Sequence, residues 1–201
     1  MKNKRFFYEQ YNKINWENQE KTKINSFIYN VIIKDIILKK DGSGVSLFDI
    51  GFGIGFFWRM LNSKLYGKYK KVTLAGCEPS EKNYNYFVKK LLSKKSNVEL
   101  KLYKNTFQNL KLKEKFDFIT AIYVFPHFEY HDLKNVAEKI YTMLNEEGKF
   151  ILVVANEKYL KEKLKSKKDL SIESDNINFE GKEYNEILHY SDIPQIGKVI
   201  D

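Results

Sequence analysis

The sequence predicts an α/β fold in which a mostly parallel β-sheet lies between helices, giving a three-layer sandwich. First, segments rich in β-branched and aromatic residues alternate with helical segments from residue 45 onward, a pattern typical of parallel sheets. Second, one apolar segment ends in three alternating glycines, Gly51, Gly53 and Gly55, and leads directly into a helical segment. Third, a chain of 201 residues, 43% of them hydrophobic, can bury the core of one ordinary domain.

The predicted elements begin with a helical amino-terminal region and then alternate. Residues 5–38 carry apolar side chains at close to helical spacing, Phe27 and Val31 among them. Strands are predicted at 45–50, 71–77, 97–103, 116–122 and 149–155, and helices at 55–66, 80–93, 132–145 and 157–166. Between the helix at 132–145 and the strand at 149–155, residues 145–148 are expected to form a short polar turn. Two further strands are expected at 184–190 and 196–200.

We expect one domain over residues 1–201, because no Pro/Ser-rich linker and no internal repeat interrupts the chain. Within it, residues 1–40 form a helical cap, residues 45–156 the central core and residues 168–201 the edge strands. The last strands are hard to complete before the chain stops at Asp201. The sequence therefore predicts an incomplete sheet edge, as in a shortened form of the protein or one partner of a longer one.

Composition excludes several classes of protein. The single cysteine, Cys77, excludes a disulfide framework, and no Cys/His cluster has the spacing of a zinc site. No apolar run is long enough to span a membrane, and no signal core follows the basic amino terminus. These features predict a cytoplasmic protein without a membrane partner, and they leave the oligomeric state open.

The net charge of +9 raises the question of a nucleic-acid partner. Lysines are spread over the whole chain rather than gathered in one patch. Pairs such as Lys89 and Lys90 also lie at predicted helix ends, where cations are favoured. The pattern favours a solvated basic surface over nucleic-acid binding, although both interpretations stay open.

The glycine segment predicts a turn that binds a cofactor. A strand that ends at a glycine turn and opens into a helix directs backbone N–H groups and the positive end of the helix dipole at one spot. Glycine suits this turn because a Cβ atom would block the approach of a ligand to the backbone. The spacing D-x-G-x-G-x-G, starting at Asp49, differs from the dinucleotide pattern G-x-G-x-x-G, which would need a glycine at Phe56. A plain strand-to-helix turn is the structural alternative.

This segment resembles motif I of the class I S-adenosylmethionine-dependent methyltransferases. The resemblance implies a Rossmann-like, mostly parallel sheet of seven strands, whose last antiparallel pair is expected to be incomplete here. It also implies S-adenosylmethionine as cofactor and S-adenosylhomocysteine as product. The motif assigns the acid and the glycine turn to the methionine part of the cofactor; the residues are Asp49, Gly51, Phe52, Gly53 and Gly55.

An acid follows the second predicted strand, in the sequence Cys77-Glu78-Pro79-Ser80. A carboxylate there has enough lone pairs to accept hydrogen bonds from both hydroxyls of a ribose. The resemblance assigns Glu78 to the ribose and places Pro79 beside it in the cofactor site. The alternative is an acid that only stabilises the start of the next helix.

The segment after the third predicted strand departs from the family pattern. Family members commonly carry an Asp here, which contacts the adenine amino group, followed by an apolar residue that covers the ring. This chain has Asn105, Thr106 and Phe107 instead. We expect Asn105 or Thr106 to hydrogen-bond the adenine and Phe107 to stack on it.

The loop after the fourth predicted strand is expected to bind the acceptor, because open α/β sheets place ligands at the carboxyl ends of their strands. Tyr123 is assigned to the cofactor and Phe125 to the acceptor. Asp117 opens the strand at the opposite end and is therefore expected to be structural. The loop lacks the [DN]-P-P-[YF] sequence of enzymes that methylate exocyclic amines of bases, and it has no cysteine for attack on a pyrimidine. Both absences count against nucleobase chemistry.

His127 is the predicted general base, since its ordinary pKa lies close to neutral. A histidine that only packs under the loop is the alternative. Alternation of His127, Glu129 and His131 suggests a metal site, but no helix preorganises these side chains, so no metal is predicted. Three residues near the chain ends are also expected to line the acceptor pocket: Tyr8, Tyr11 and Tyr190.

The resemblance covers about residues 40–156. It implies methyl transfer from S-adenosylmethionine to an oxygen or nitrogen of a small-molecule acceptor, such as a sugar or another metabolite. Two alternatives stay open. The first is an RNA methyltransferase that uses the basic surface, and the second is a non-catalytic module that keeps the fold for binding.

Overall fold

A computed structural model describes residues 23–38, 44–65, 68–90, 98–155, 174–179, 182–187 and 197–200. The helices are α1 (Lys23–Leu38), α2 (Phe56–Leu65), α3 (Glu81–Lys90) and α4 (Leu133–Met143). The strands are β1 (Gly44–Ile50), β2 (Lys71–Cys77), β3 (Val98–Tyr103), β4 (Phe116–Ile122), β5 (Leu144–Ala155), β6 (Ser174–Phe179), β7 (Lys182–Ile187) and β8 (Gly197–Ile200). The predicted helix at 157–166 and the helical segment before residue 23 lie outside the described residues.

The main sheet has six strands among the described residues, in the order β3-β2-β1-β4-β5-β8. Strands β1 to β5 pair in parallel, and β8 adds an antiparallel edge to β5. Strands β6 and β7 form a separate antiparallel pair. The predicted α/β class with a mostly parallel, Rossmann-like sheet is therefore confirmed, whereas a seventh strand of the main sheet is not seen in the described part of the chain.

The helices cover both faces of the sheet, as the three-layer prediction requires. On one face, apolar side chains of α1, α2 and α3 pack against alternate residues of β1 and β2, such as Leu47 and Leu74. On the other face, α4 and the segment after β3 pack against the intervening residues, such as Phe48 and Ala75. Alternation of side chains along each strand divides the core in this way.

The buried stripe of α1 differs in part from the predicted one. The buried residues are Ile28, Tyr29, Ile32, Ile33 and Ile36. Phe27 and Val31 are 69% and 41% exposed, because residues three to four positions apart share a helix face and these two lie beside the stripe. In the described part of the chain, no helix is both long and apolar enough to cross a membrane.

Strand β5 begins earlier than predicted. The helix before it ends at Met143, and the strand runs from Leu144 without a separate polar turn. Residues 145–148 instead form an irregularity, because Phe116 pairs with Leu144 but Phe118 pairs with Lys149. A Cβ atom on Gly148 would lie 2.9 Å from the Phe116 carbonyl oxygen, so a glycine is needed for this close approach.

The strand order reverses between β2 and β4, on either side of β1. At such a reversal the loops leaving two neighbouring strands diverge, which opens a crevice at the carboxyl ends of the strands. In this protein the loops at that edge are the glycine turn after β1, the segment after β2 that contains Glu78, and the loop after β4 that begins at Tyr123. The fold thus brings three of the predicted site segments to one edge of the sheet.

Candidate functional site

The glycine turn between β1 and α2 has the left-handed backbone for which glycine is suited. The φ angles of Gly51, Gly53 and Gly55 are 70°, 56° and 73°, values that L-residues with side chains rarely adopt. The N–H groups of Gly51 and Phe52 both donate to the Cys77 carbonyl oxygen, at 2.8 and 3.2 Å. These bonds fasten the turn to the end of β2, which is where Glu78 follows.

The Glu78 carboxylate faces the glycine turn and binds it. Its Oε2 atom accepts a hydrogen bond from the Gly53 N–H at 2.9 Å, and its Oε1 atom accepts one from the Ser80 N–H at 2.8 Å. A carboxylate is an acceptor with about four positions, which suits it to bind several N–H or O–H donors at once. Glu78 is only 2% exposed, and a ligand therefore reaches it only if neighbouring groups move.

Asp49 is held by two side chains that the sequence analysis did not assign. The Trp58 indole N–H donates to Oδ2 and the Thr120 hydroxyl donates to Oδ1, each at 2.6 Å. Thr120 is the residue paired with Asp49 on β4, and Gly76 is the residue paired with it on β2. A Cβ atom on Gly76 would lie 2.7 Å from Trp58, so this glycine leaves the space that the indole occupies.

Burial raises the pKa of Asp49 from 3.8 to about 7, although the bonds from Thr120 and Trp58 oppose the rise. A folded-state pKa above the unfolded value means that protonation stabilises the fold. That stabilisation is fully present below about pH 4 and is lost as the pH rises through about 7.

We therefore expect Asp49→Asn to flatten the pH dependence of stability. Asn can still accept from Trp58 and can donate to the Thr120 oxygen, so the variant should fold. Between pH 5 and pH 8 the free energy of unfolding of the parent should fall by about 2 kcal/mol relative to the variant. Urea denaturation at the two pH values measures this difference, and equal pH dependence in both proteins would contradict the raised pKa.

Two aromatic residues that are predicted to contact the cofactor have their side chains buried in the core. The Phe52 ring packs against Trp58 and Phe87, with centroid distances of 5.4 and 4.9 Å. The Phe107 ring packs against Phe48 at 5.9 Å. Phe52 is therefore available to a ligand mainly through its backbone, and stacking by Phe107 would require its ring to leave these contacts. Both cofactor assignments stay predictions.

The segment after β3 forms a compact turn beside Glu78. The Glu78 N–H donates to the Tyr103 carbonyl oxygen at 3.0 Å, which joins the ends of β2 and β3. The Asn105 side chain accepts from the Thr106 N–H at 2.9 Å. Both residues are half-buried, and they lie at the same sheet edge as Glu78. Their contact with adenine stays a prediction.

The loop after β4 begins with a strained residue. Tyr123 has a φ angle of 59°, the one positive value at a non-glycine residue in the described part of the chain. Its N–H donates to the Val153 carbonyl oxygen at 2.9 Å, which helps to hold the backbone in this conformation. The next residue, Val124, contacts the glycine turn closely: a Cβ atom on Gly51 would lie 2.7 Å from its Cγ2 atom. The turn and the predicted acceptor loop are therefore in direct contact.

Phe125 to His127 form a single turn of 3₁₀ helix. The Phe125 ring packs against Phe128 and Phe150, at 5.4 and 5.7 Å. Water reaches His127, which is an exposed residue, yet the protein around it lowers the pKa of the imidazole by desolvation, to about 4. The imidazole is therefore neutral at pH 7.

The remaining residues named in the sequence analysis lie partly within and partly outside the described ranges. His131 lies beside Asp132, with 3.6 Å between Nε2 and Oδ1, and within the described ranges no three His, Cys, Asp or Glu residues cluster as they would around a metal ion. Tyr8, Tyr11 and Tyr190 lie outside the described residues, and so their places in the acceptor pocket stay predictions. Pro79 is half-buried beside Glu78.

Asp117 has the structural role that its position predicts. Its carboxylate accepts hydrogen bonds from the Ser46 N–H, the Ser46 hydroxyl and the Asn145 amide, at 2.8 to 2.9 Å. These bonds tie β1, β4 and β5 together at the end of the sheet remote from the glycine turn.

The site residues fit an adenosyl cofactor in their chemistry. Glu78 supplies a carboxylate, a group that accepts hydrogen bonds from hydroxyls, and the glycine turn brings backbone without side chains close to it. Asn83, in the first turn of α3, is also buried, and its Nδ2 atom has no hydrogen-bond partner within the described ranges. A buried donor without a partner is costly in a folded protein, so a ligand that accepts a hydrogen bond there would be stabilised.

The parallel sheet with a reversal at β1, the left-handed glycine turn and the acid at the end of β2 define the fold and site of class I S-adenosylmethionine-dependent methyltransferases. Consistent with this, a family model described as a methyltransferase domain matches residues 47–148. The chain belongs to this methyltransferase domain family, as its resemblance to motif I predicted.

Solved structures of methyltransferases share the fold at low sequence identity. The magnesium protoporphyrin IX methyltransferase ChlM from Synechocystis PCC 6803, solved with bound S-adenosylmethionine, has a TM-score of 0.58 and 13% identity, over 92% of this chain and 95% of that chain. The plantazolicin methyltransferase BpumL gives 0.58 and 20%, over 77% and 56%. The cyclopropane synthase MmaA2 from Mycobacterium tuberculosis gives 0.55 and 15%, over 72% of this chain.

This chain spans only half the length of that cyclopropane synthase, so likeness to it concerns the common fold. No curated protein sequence matches the chain significantly.

Proposed function

We propose that this chain binds S-adenosylmethionine at the carboxyl edge of β1, β2 and β4 and transfers its methyl group to an oxygen or nitrogen of a small-molecule acceptor. We also propose that residues 1–201 act as one domain, with the acceptor bound by the loop after β4. The predicted cytoplasmic location of the protein stays a prediction.

The hydrogen bond between the Gly53 N–H and Glu78 Oε2 carries this proposal. It shows that the glycine turn and the acid at the end of β2 meet at hydrogen-bond distance, so that one ligand can contact both. A ribose presents two adjacent hydroxyl donors, which suit the two acceptor oxygens of a carboxylate. The remainder of the ligand then lies along the glycine turn, where the positive end of the α2 dipole favours a carboxylate.

In this proposal the protein acts mainly by alignment and desolvation. Bound S-adenosylmethionine supplies a methyl group that its sulfonium charge already activates. Glu78 and the glycine turn fix the cofactor, and the loop from Tyr123 to His127 holds the acceptor atom in line with the methyl carbon. The close contact between Val124 and Gly51 sets the distance between these two parts of the site.

His127 is the chain's candidate for removing a proton from the acceptor. A neutral imidazole can accept a proton, although a lowered pKa makes it a weaker base. We expect His127→Asn to lower kcat by about 100-fold without weakening S-adenosylhomocysteine binding, whereas the control His131→Asn should change neither. Because the pKa of His127 is about 4, its contribution should be constant from pH 6 to pH 8 and lost only as the pH falls toward that value. An acid limb centred near pH 6.5 would contradict this.

Isothermal titration calorimetry with S-adenosylhomocysteine tests the proposed cofactor. We expect saturable one-site binding and a rise in Tm with ligand concentration. Absence of both at millimolar ligand would reject the proposal. Transfer of labelled methyl groups to a metabolite extract then tests catalysis, and lack of any labelled product would favour a non-catalytic binding module.

The net charge of +9 keeps RNA as the rival acceptor. Binding of RNA releases counterions, so its affinity falls steeply as salt rises. Methyl transfer to a small neutral acceptor should be nearly indifferent to salt between 50 and about 200 mM. A steep salt dependence of KM for the acceptor would favour RNA.

A further inference from the structure

A lysine on α4, which packs on the same face of the sheet as the segment after β3, binds the turn after β3. The ammonium group of Lys139, on α4, donates to the carbonyl oxygens of Phe107 and Leu110, and it lies 3.3 Å from that of Gln108. It also lies 4.7 Å from the centre of the Phe107 ring. An ammonium has three N–H donors, so its donors match three carbonyl acceptors from a single turn.

The turn is fastened from within as well. The Asn109 N–H donates to the Thr106 carbonyl oxygen and the Leu110 N–H donates to that of Phe107, each at 3.2 Å. The Thr106 N–H is bound by Asn105. These bonds use N–H groups of the turn as donors, while Lys139 donates to carbonyl groups of the same turn. Without the ammonium, three carbonyl groups would lose a charged donor and the turn would have other conformations open to it.

Partial removal of this ammonium from water disfavours its charged form, and this desolvation lowers the pKa of Lys139. An apolar side chain of similar length could pack beside Phe107 without that desolvation cost. The charge therefore serves the carbonyl groups rather than the packing of the core.

If Glu78 held a ribose, the attached nucleobase would lie beside this turn. The Glu78 N–H donates to the Tyr103 carbonyl oxygen, and the turn starts two residues later, at Asn105. A base extends from its ribose by only a few ångströms, so its edge would meet the side chains and backbone at the start of this turn.

We propose that Lys139 is a positioning residue that sets the preference for adenine, by holding residues 105–110 in one conformation beside Glu78. The inference rests on the proposed function, since it concerns the adenosyl group of the same cofactor. Lys139 does not touch the ligand in this proposal, and it acts only through the turn.

Calorimetry with a pair of ligands tests the proposal. S-adenosylhomocysteine and S-inosylhomocysteine differ only at the edge of the base, where the 6-amino group is replaced by an oxo group. We expect the parent to bind the adenosyl compound more tightly by about tenfold or more. Lys139→Met should weaken adenosyl binding by about tenfold and bring the affinities for the two ligands close together.

Lys134→Met is the matched control, since Lys134 lies on the same helix but is exposed and pairs only loosely with Glu138, at 3.9 Å. It should leave both affinities and their ratio unchanged. Lys139→Gln retains two N–H donors without the charge and should give an intermediate ratio. If Lys139→Met does not fold, the ratio of the two affinities is measured on Lys139→Gln instead.

The possible results separate the two proposals. A folded Lys139 variant that keeps the parent's preference for the adenosyl ligand overturns the positioning role alone, even if its Tm falls. A parent protein that binds neither ligand overturns the proposed function and this inference with it. Loss of preference in the Lys139 variants, with the Lys134 control unchanged, is the result that we expect.

Discussion

Replacing Glu78 by Gln should weaken S-adenosylhomocysteine binding by about 100-fold, since hydrogen bonds to a charged group contribute about 1.5–3 kcal/mol each. The Gly53 and Ser80 N–H groups approach different oxygens of the carboxylate. A Gln side chain has one acceptor oxygen and an NH₂ group, which would meet one of these backbone donors with another donor. The substitution therefore has two effects: it disturbs the glycine turn, and it removes one carboxylate oxygen that would accept a hydrogen bond from the ribose.

Glu99→Gln is the control for this substitution. Glu99 lies on β3 of the same sheet, but it is exposed and pairs with Lys71 and Lys101 at 3.6 and 3.4 Å. Exposed pairs contribute little to stability, and this one is remote from the glycine turn in sequence. Binding should be unchanged in the control. If the Glu78 variant bound the ligand as tightly as the parent, the assignment of the site would be wrong.

Replacing Gly55 by Ala should destabilise the fold by about 3 kcal/mol or more, as the sum of two effects. The left-handed backbone at this position, with φ 73°, disfavours any residue with a Cβ atom. That atom would also lie 2.0 Å from the Phe87 ring, which is fully buried against Phe52 and Trp58. The ring cannot withdraw without disturbing the packing beneath the turn.

Thermal unfolding should show a Tm lower by about 10 °C for Gly55→Ala. Gly44→Ala is the control, because a Cβ atom there would meet the Lys71 carbonyl oxygen at an ordinary 3.4 Å. The control should unfold within about 2 °C of the parent. Equal Tm values for the two variants would show that the turn does not require glycine at position 55.

The sequence predicts those parts of the fold that local patterns determine. Strands β2 and β4 have the predicted bounds, because each is an apolar segment flanked by polar residues or turns. The spacing of the glycines after Asp49 predicted the turn between β1 and α2, and the position of Asp117 at the start of β4 predicted its structural role. In each case the signal on which the prediction depended lies within a few residues of the feature.

Contacts between distant segments could not be predicted in this way. Thr120 binds Asp49 because the sheet register places the two residues side by side. Trp58 binds Asp49 from the helix that follows the glycine turn. A buried indole N–H needs an acceptor, so the tryptophan in the helix after the turn was an available signal. Gly76, in the interior of β2, was a second signal, since glycine within a strand often marks a close approach. Lys139 gave no comparable signal, because its partners are backbone carbonyl groups.

A crystal structure of the protein with S-adenosylhomocysteine tests the central claim most directly. The account predicts both ribose hydroxyl oxygens within about 3.2 Å of the Glu78 carboxylate oxygens, with the amino-acid part of the ligand along the glycine turn from Gly51 to Gly55. Ligand density elsewhere on the protein, with the bonds from Gly53 and Ser80 to Glu78 unchanged, would contradict the account.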